Sequence, residues 1–158
     1  MNDPLDEFRS AAEPYCEVVE AAAAGDDDVY GTILQRLASL YAAAVRLPRV
    51  GPETEDDLPD RPTTEDEAAL IGRLSALFEP RDFYWSVEPD EARPKKNVLG
   101  GTVSEDLASV CRDVKQGLLA WDASPKDDVI WEWSFGFDHH WGRHAVDALA
   151  VLHKRRLA

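Results

Sequence analysis

Apolar residues recur three and four positions apart along most of the chain, and Pro, Gly or Asp stands at each break. This is the pattern of amphipathic helices separated by short connections. Five helices are predicted. The first opens at Asp3-Pro4, an acidic cap followed by a proline whose missing N–H costs nothing in the first turn. It runs through Phe8, Tyr15, Val18 and Val19 and ends at Gly25. The second follows Asp26-Asp27-Asp28 and carries a stripe of Val29, Ile33, Leu37, Leu40, Ala44 and Leu47, widened by Tyr30, Leu34, Tyr41 and Val45. That width predicts a buried member of the bundle, and Pro48 stops it. The third begins at Thr63 or Thr64, where Thr64 and Glu67 have capping-box spacing, with Leu70, Ile71, Leu74, Leu77 and Phe78 inside. The fourth opens on Thr102 and Glu105, again spaced as a capping box, and its stripe is Val103, Leu107, Val110, Val114, Leu118 and Trp121. The last runs without proline from Lys126 to about Arg156, with Gly136 and Gly142 as the points where it is expected to bend.

Two stretches break the helical period. Residues 49–62 are rich in Pro and acid and read as a flexible, solvated loop. Residues 81–101 carry Phe83-Tyr84-Trp85, then Pro89, Pro94 and Gly100-Gly101. They are expected to form an aromatic loop, because a surface connection keeps successive aromatics only where they are pinned to a core or form a binding surface. That loop either plugs one end of the bundle or covers a pocket. The expected architecture is therefore one all-α domain over residues 1–158, an antiparallel bundle of about five helices with one aromatic-rich loop.

Composition narrows the functional classes. The chain has 31 acidic and 17 basic side chains, a formal charge of −14, which argues against nucleic acid and anionic membranes, since both bind through Lys and Arg. Two cysteines, Cys16 and Cys111, make no disulfide framework, and the first residues lack the basic-then-apolar order of a signal peptide. Apolar runs such as Ala21 to Ala24 are far below the ~20 residues that span a bilayer. A cytoplasmic setting is expected.

Candidate chemistry is concentrated near the C-terminus, where all four histidines and four of the five tryptophans lie between Trp121 and His153. Ile130, Trp133, Phe137, His140, His144, Asp147 and Val151 follow steps of three and four, one helix face that is apolar at both ends and polar in the middle. His140 and His144, four apart, have the spacing to share a divalent metal, with Asp147 next along the same side. Asp106, Asp113, Glu17 or Glu20 from other helices are candidates for a further ligand. The spacing alone favours a structural pair hydrogen-bonded to buried carboxylates, and a metal-free pocket using a histidine as acid or base is the third reading. Asp106 and Asp113, two turns apart with Arg112 and Lys115 nearby, read first as members of surface ion pairs and otherwise as partners of the histidines. Cys111 reads as a core thiol. Lys95-Lys96 before Gly100-Gly101 and a helix start has the general physics of an anion site without the Walker order, and reads as plain loop.

The chain resembles the bacterial domain of unknown function 5063 family. The resemblance rests on Phe83-Tyr84-Trp85-Ser86-Val87, on Asp106-Leu107-Ala108 and Arg112-Asp113-Val114-Lys115-Gln116-Gly117-Leu118, and on Trp131-Glu132-Trp133, His140-Trp141-Gly142-Arg143-His144 and Asp147-Ala148-Leu149. It covers most of the chain, with His-Trp-Gly-x-His as its most specific part, and the loop 49–62 looks longer and more acidic than the family's. The resemblance implies an all-helical bacterial protein and carries over no catalytic role. The expected function is a non-enzymatic module acting through a partner protein, with a polar pocket drawn from Trp85, Asp106, Asp113, Trp133, His140, Trp141, His144 and Asp147. The alternative is a hydrolase that uses His140, His144 and Asp147 as metal ligands or as acid and base. No cofactor is expected beyond the divalent metal of that alternative.

Overall fold

A computed structural model describes residues 3–87 and 98–156. Its elements in order are α1 (Pro4–Ala21), α2 (Val29–Val45), α3 (Thr64–Phe78), β1 (Phe83–Val87), β2 (Val98–Thr102), α4 (Val103–Ala120), α5 (Lys126–Gly136), a π-helical turn (Phe137–Trp141) and α6 (Gly142–Arg156). The protein is largely helical, with a small antiparallel sheet of two strands, so the all-α expectation is corrected within 81–101. There, Phe83, Trp85 and Val87 alternate with the more buried Tyr84 and Ser86, the period of two that a half-buried strand requires. Pairing runs from Phe83 opposite Thr102 to Val87 opposite Val98. Pro89, Pro94, Lys95 and Lys96 lie outside the described residues.

Helix starts follow side-chain chemistry. The Asp3 carboxylate accepts from the Leu5 amide at 3.2 Å, while Asp28 makes no side-chain cap at the start of α2. The capping box of α3 is Thr63 with Asp66, one residue earlier than Thr64 with Glu67. That shift leaves the Glu67 carboxylate available to another helix. At α4, Thr102 Oγ1 accepts from the Glu105 amide at 3.3 Å. Asp82, buried just before β1, accepts from the amide and hydroxyl of Ser104 at 2.8 and 2.7 Å and so ties the start of the hairpin to the start of α4.

The central helix is α4, packed against α1, α3, α5 and α6. It is buried on most of its circumference, polar Asp106 and Gln116 included. α2 buries Val29, Ile33, Leu37, Leu40 and Ala44 of its stripe and keeps Val45 exposed. The core joins Phe8, Tyr15, Ile33, Leu37, Leu74, Phe78, Leu107, Trp133 and Trp141, with Phe8 and Trp133 ring centres 4.8 Å apart. The backbone keeps right-handed helical angles at Gly136, Phe137 and Gly142, so the last three helical segments run on as the single long helix expected. The wide turn fits between two glycines. A Cβ on Gly142 would stand 2.2 Å from the Phe137 carbonyl oxygen, and one on Gly136 would stand 2.9 Å from the Trp141 ring. Beyond it, the core face is Trp141, Ala145, Ala148 and Leu152, all fully buried, and the face predicted through His140, His144 and Asp147 becomes a flank.

The acidic loop is fastened at two points. Asp128 on α5 accepts from the Glu53 amide at 2.6 Å, the Thr54 amide at 2.9 Å and the Thr54 hydroxyl at 2.5 Å. Leu58 is buried, and its carbonyl accepts from Gln116 at 3.3 Å. The solvated loop expected here is thus held against α4 and α5 at these two points.

Candidate functional site

Two carboxylates on α4 face the last helix. Asp113 Oδ2 meets His140 Nδ1 at 2.5 Å, and its Oδ1 accepts from Arg112 Nε at 3.0 Å. Asp106 Oδ1 meets His144 Nδ1 at 2.8 Å, and its Oδ2 accepts from the Tyr84 hydroxyl at 2.5 Å. Each carboxylate therefore serves one histidine with one oxygen and a second side chain with the other, Arg112 of the same helix for Asp113 and Tyr84 of β1 for Asp106. Asp106 is only 4% exposed, and a buried charge is tolerated there because both oxygens are engaged. When Nδ1–H donates to a carboxylate, a neutral imidazole keeps its lone pair on Nε2. The two rings lie edge to face with centres 5.0 Å apart, and their side chains are 46% and 32% exposed at His140 and His144.

Neighbouring groups extend both pairs. Arg112 also reaches Glu67 on α3 at 2.9 and 3.0 Å. Burial opposes its charge, and Asp113 with Glu67 outweighs that and holds it above its usual value. Burial pushes the Tyr84 phenol far above its ordinary range, and the hydrogen bond to Asp106 and the charges of Asp106 and Asp147 add to this against the pull of Arg143. Beside His140 a depression of about 260 Å³ is lined by Arg61, Arg112, Asp113, Glu132, Phe135 and His139, among others. Burial raises the Glu132 carboxyl there, with Asp113 and Asp57 adding and Arg61 opposing.

Of the residues singled out by sequence, Asp106, Asp113, His140 and His144 come together in this constellation. Asp147 is half-buried and close enough to Tyr84 for its charge to act on that phenol. Trp133 and Trp141 are fully buried in the core, their indole nitrogens donating to the carbonyls of Val114 and Trp133 at 3.0 and 3.1 Å. Trp85, 70% exposed, lies on the far side of the hairpin, edge-on to Phe83. Among the described residues no group of three or more His, Cys, Asp or Glu side chains is arranged to hold a metal ion, so His140, His144 and Asp147 do not form a complete ligand set. Tyr84, Glu67 and Glu132 belong to the site and were not foreseen. Tyr84 was detectable through strand alternation, which points it away from Phe83 and Trp85.

The model of a family described as a domain of unknown function (DUF5063) matches residues 1–158. The chain belongs to the DUF5063 family. A solved structure with the same fold as this DUF5063 chain is the crystal structure of protein BF1032 from Bacteroides fragilis. The TM-score is 0.81, with 22% sequence identity over 100% of this chain and 98% of that one. At that identity the likeness carries the fold alone. No curated protein matches the chain. No described helix is long and apolar enough to cross a membrane.

Proposed function

We propose that this DUF5063 protein is a non-enzymatic interaction module of the cytoplasm whose hairpin carries the contact surface for another protein. The observation that supports this reading is the outer face of the hairpin. Phe83, Trp85, Val87 and Val98 are 52%, 70%, 65% and 48% exposed, and the pairing of Trp85 with Gly100 and of Val87 with Val98 keeps them on one side. Scattered apolar residues are ordinary on a surface, whereas a contiguous patch marks an interaction site. The opposite face is fastened by Tyr84 to Asp106, and the Phe83 carbonyl accepts from Arg155 at 2.8 Å, so the patch is presented on a fixed support. Trp is also the side chain that most often anchors interfaces. The net charge disfavours nucleic acid as the occupant. The buried free cysteines Cys16 and Cys111 suit a reducing compartment.

A photoreactive amino acid placed at Trp85 in host cells tests the reading, with Val45, an exposed apolar residue on α2, as the comparison position. The expected result is one crosslinked protein species from position 85, absent from position 45 and lost when Phe83 and Val87 are changed to Ser. No adduct at position 85 would sink the proposal.

A second reading, a hydrolase site, is supported by the two carboxylate-backed imidazoles and by the raised Glu132 carboxyl beside His140. Glu132 would be the acid and His140 the base. Turnover of generic phosphate or carboxylate esters that disappears in both His140→Ala and Glu132→Gln would establish it.

A further inference from the structure

The geometry points to a transition-metal site formed by Nε2 of His140 and Nε2 of His144, with solvent in the remaining coordination positions. This goes beyond the interaction reading and does not depend on it.

Three observations converge. The first is separation. With a metal–nitrogen bond of about 2.0 Å and a tetrahedral angle, two imidazoles on one ion have ring centres about 5 Å apart, and those of His140 and His144 are 5.0 Å apart. The second is direction. The Nδ1 atoms are held by Asp113 and Asp106 at 2.5 and 2.8 Å, and these carboxylates are two turns apart on α4, roughly 10 Å along its axis. With each Nδ1 engaged, Nε2 is the nitrogen that each half-exposed ring has left for a metal. Among the described residues nothing hydrogen-bonds to either Nε2. A carboxylate behind Nδ1 is the arrangement that orients metal-binding histidines and raises their basicity. The third is the backbone. His140 lies inside the π turn and His144 just beyond it, and π turns within α-helices recur at functional positions.

The donor set names the metal class. Two imidazoles suit Zn²⁺, Ni²⁺ and above all Cu²⁺, whereas Mg²⁺ and Ca²⁺ require oxygen ligands. With two protein ligands, the ion keeps open positions.

Calorimetric titration of the tag-free protein with ZnCl₂, NiCl₂ and CuCl₂, with MgCl₂ as the control, reads the site directly. The expected result is one ion per chain, tightest for Cu²⁺, with affinity lost at least tenfold in His140→Ala and in His144→Ala. Asp113→Asn should weaken binding by about 10- to 100-fold, the effect of losing the carboxylate behind a ligand. His153→Ala should leave it unchanged. Nitrogen-15 spectra of the unaltered protein, which need no variant to fold, should show Zn²⁺ shifting the Nε2 resonances of both histidines together. No saturable binding, binding that survives the His140→Ala, His144→Ala double variant, or a shift at Nδ1 in place of Nε2 overturns the proposal.

Discussion

Gly117 of α4 lies directly beneath the indole of Trp133, so that a Cβ at this glycine would stand 2.2 Å from Trp133 Nε1. The ring is fully buried and donates to the Val114 carbonyl at 3.0 Å, which leaves it no direction in which to retreat. Gly117→Ala is expected to cost about 3 kcal/mol, from overpacking together with the lost hydrogen bond. Gly72, within α3, has nothing within 4 Å of its virtual Cβ. Gly72→Ala should therefore stabilise by about 0.5–1 kcal/mol through helix propensity. Urea denaturation of the two variants checks both signs, and equal effects would contradict the packing argument.

Asp106 is the shared acceptor of Tyr84 and His144. Asp106→Ala leaves a half-buried hydroxyl and an imidazole without their acceptor, an expected loss of about 3 kcal/mol. His144→Ala removes a partner that is already one-third exposed, and after allowance for solvent screening its expected cost is about 1 kcal/mol. Thermal melts should rank Asp106→Ala well below His144→Ala. The reverse order would mean that the histidine, and not the carboxylate, organises this corner of the fold.

The helices were legible because burial imposes a period of three to four residues, and stripes such as Val29, Ile33, Leu37 and Leu40 report it without knowledge of tertiary contacts. That 106 shares a side with 113, and 140 with 144, was legible for the same reason, whereas the choice of the histidines over surface cations as partners of the two carboxylates was not. The core face beyond residue 137 was not, because the π turn changes the helical phase. What fits that turn into the helix is the packing of Phe137 and Trp141 over Gly142 and Gly136, which no periodicity records. The hairpin was hidden by Pro89, Pro94 and the paired glycines, which read as loop, although Phe83, Trp85 and Val87 already alternated. Tyr84 was overlooked as a site residue because it was grouped with its two aromatic neighbours, which face the other way.

Tyr84 also makes stability depend on alkaline pH. Its phenol is pushed up by burial and by Asp106, while an unfolded tyrosine ionises near pH 10. Above about pH 10 the unfolded chain releases this proton and the folded chain keeps it, so stability falls as pH rises. Tyr15, fully buried, is raised as well and contributes in the same direction. Tyr84→Phe should therefore flatten the decline in stability between about pH 9 and 11 without abolishing it, as followed by urea midpoints. In the unaltered protein the corresponding phenolate absorbance should appear only with unfolding. An unchanged slope in Tyr84→Phe would show that the Tyr84 proton is not held by the fold.

The anchor of the acidic loop has the opposite pH dependence. Hydrogen bonds from the Thr54 side chain and from the amides of Thr54 and Glu53 hold the Asp128 carboxyl below its usual value, because they all favour the ionised form. The stabilisation is present above the ordinary carboxylate range and is lost as pH falls through the lowered folded value. Protonation then weakens all three bonds, because a neutral carboxyl accepts less strongly from the two amides and its new O–H competes with the Thr54 hydroxyl as donor. The loop should loosen there while Leu58, held by burial and by Gln116, stays in place. Hydrogen exchange is the direct measurement. Protection of Glu53 and Thr54 should be lost in Asp128→Ala at neutral pH and in the unaltered protein under acid. The core amides of α4 should remain protected. If Glu53 and Thr54 exchange as slowly in Asp128→Ala as in the unaltered chain, Asp128 is not what fastens the loop.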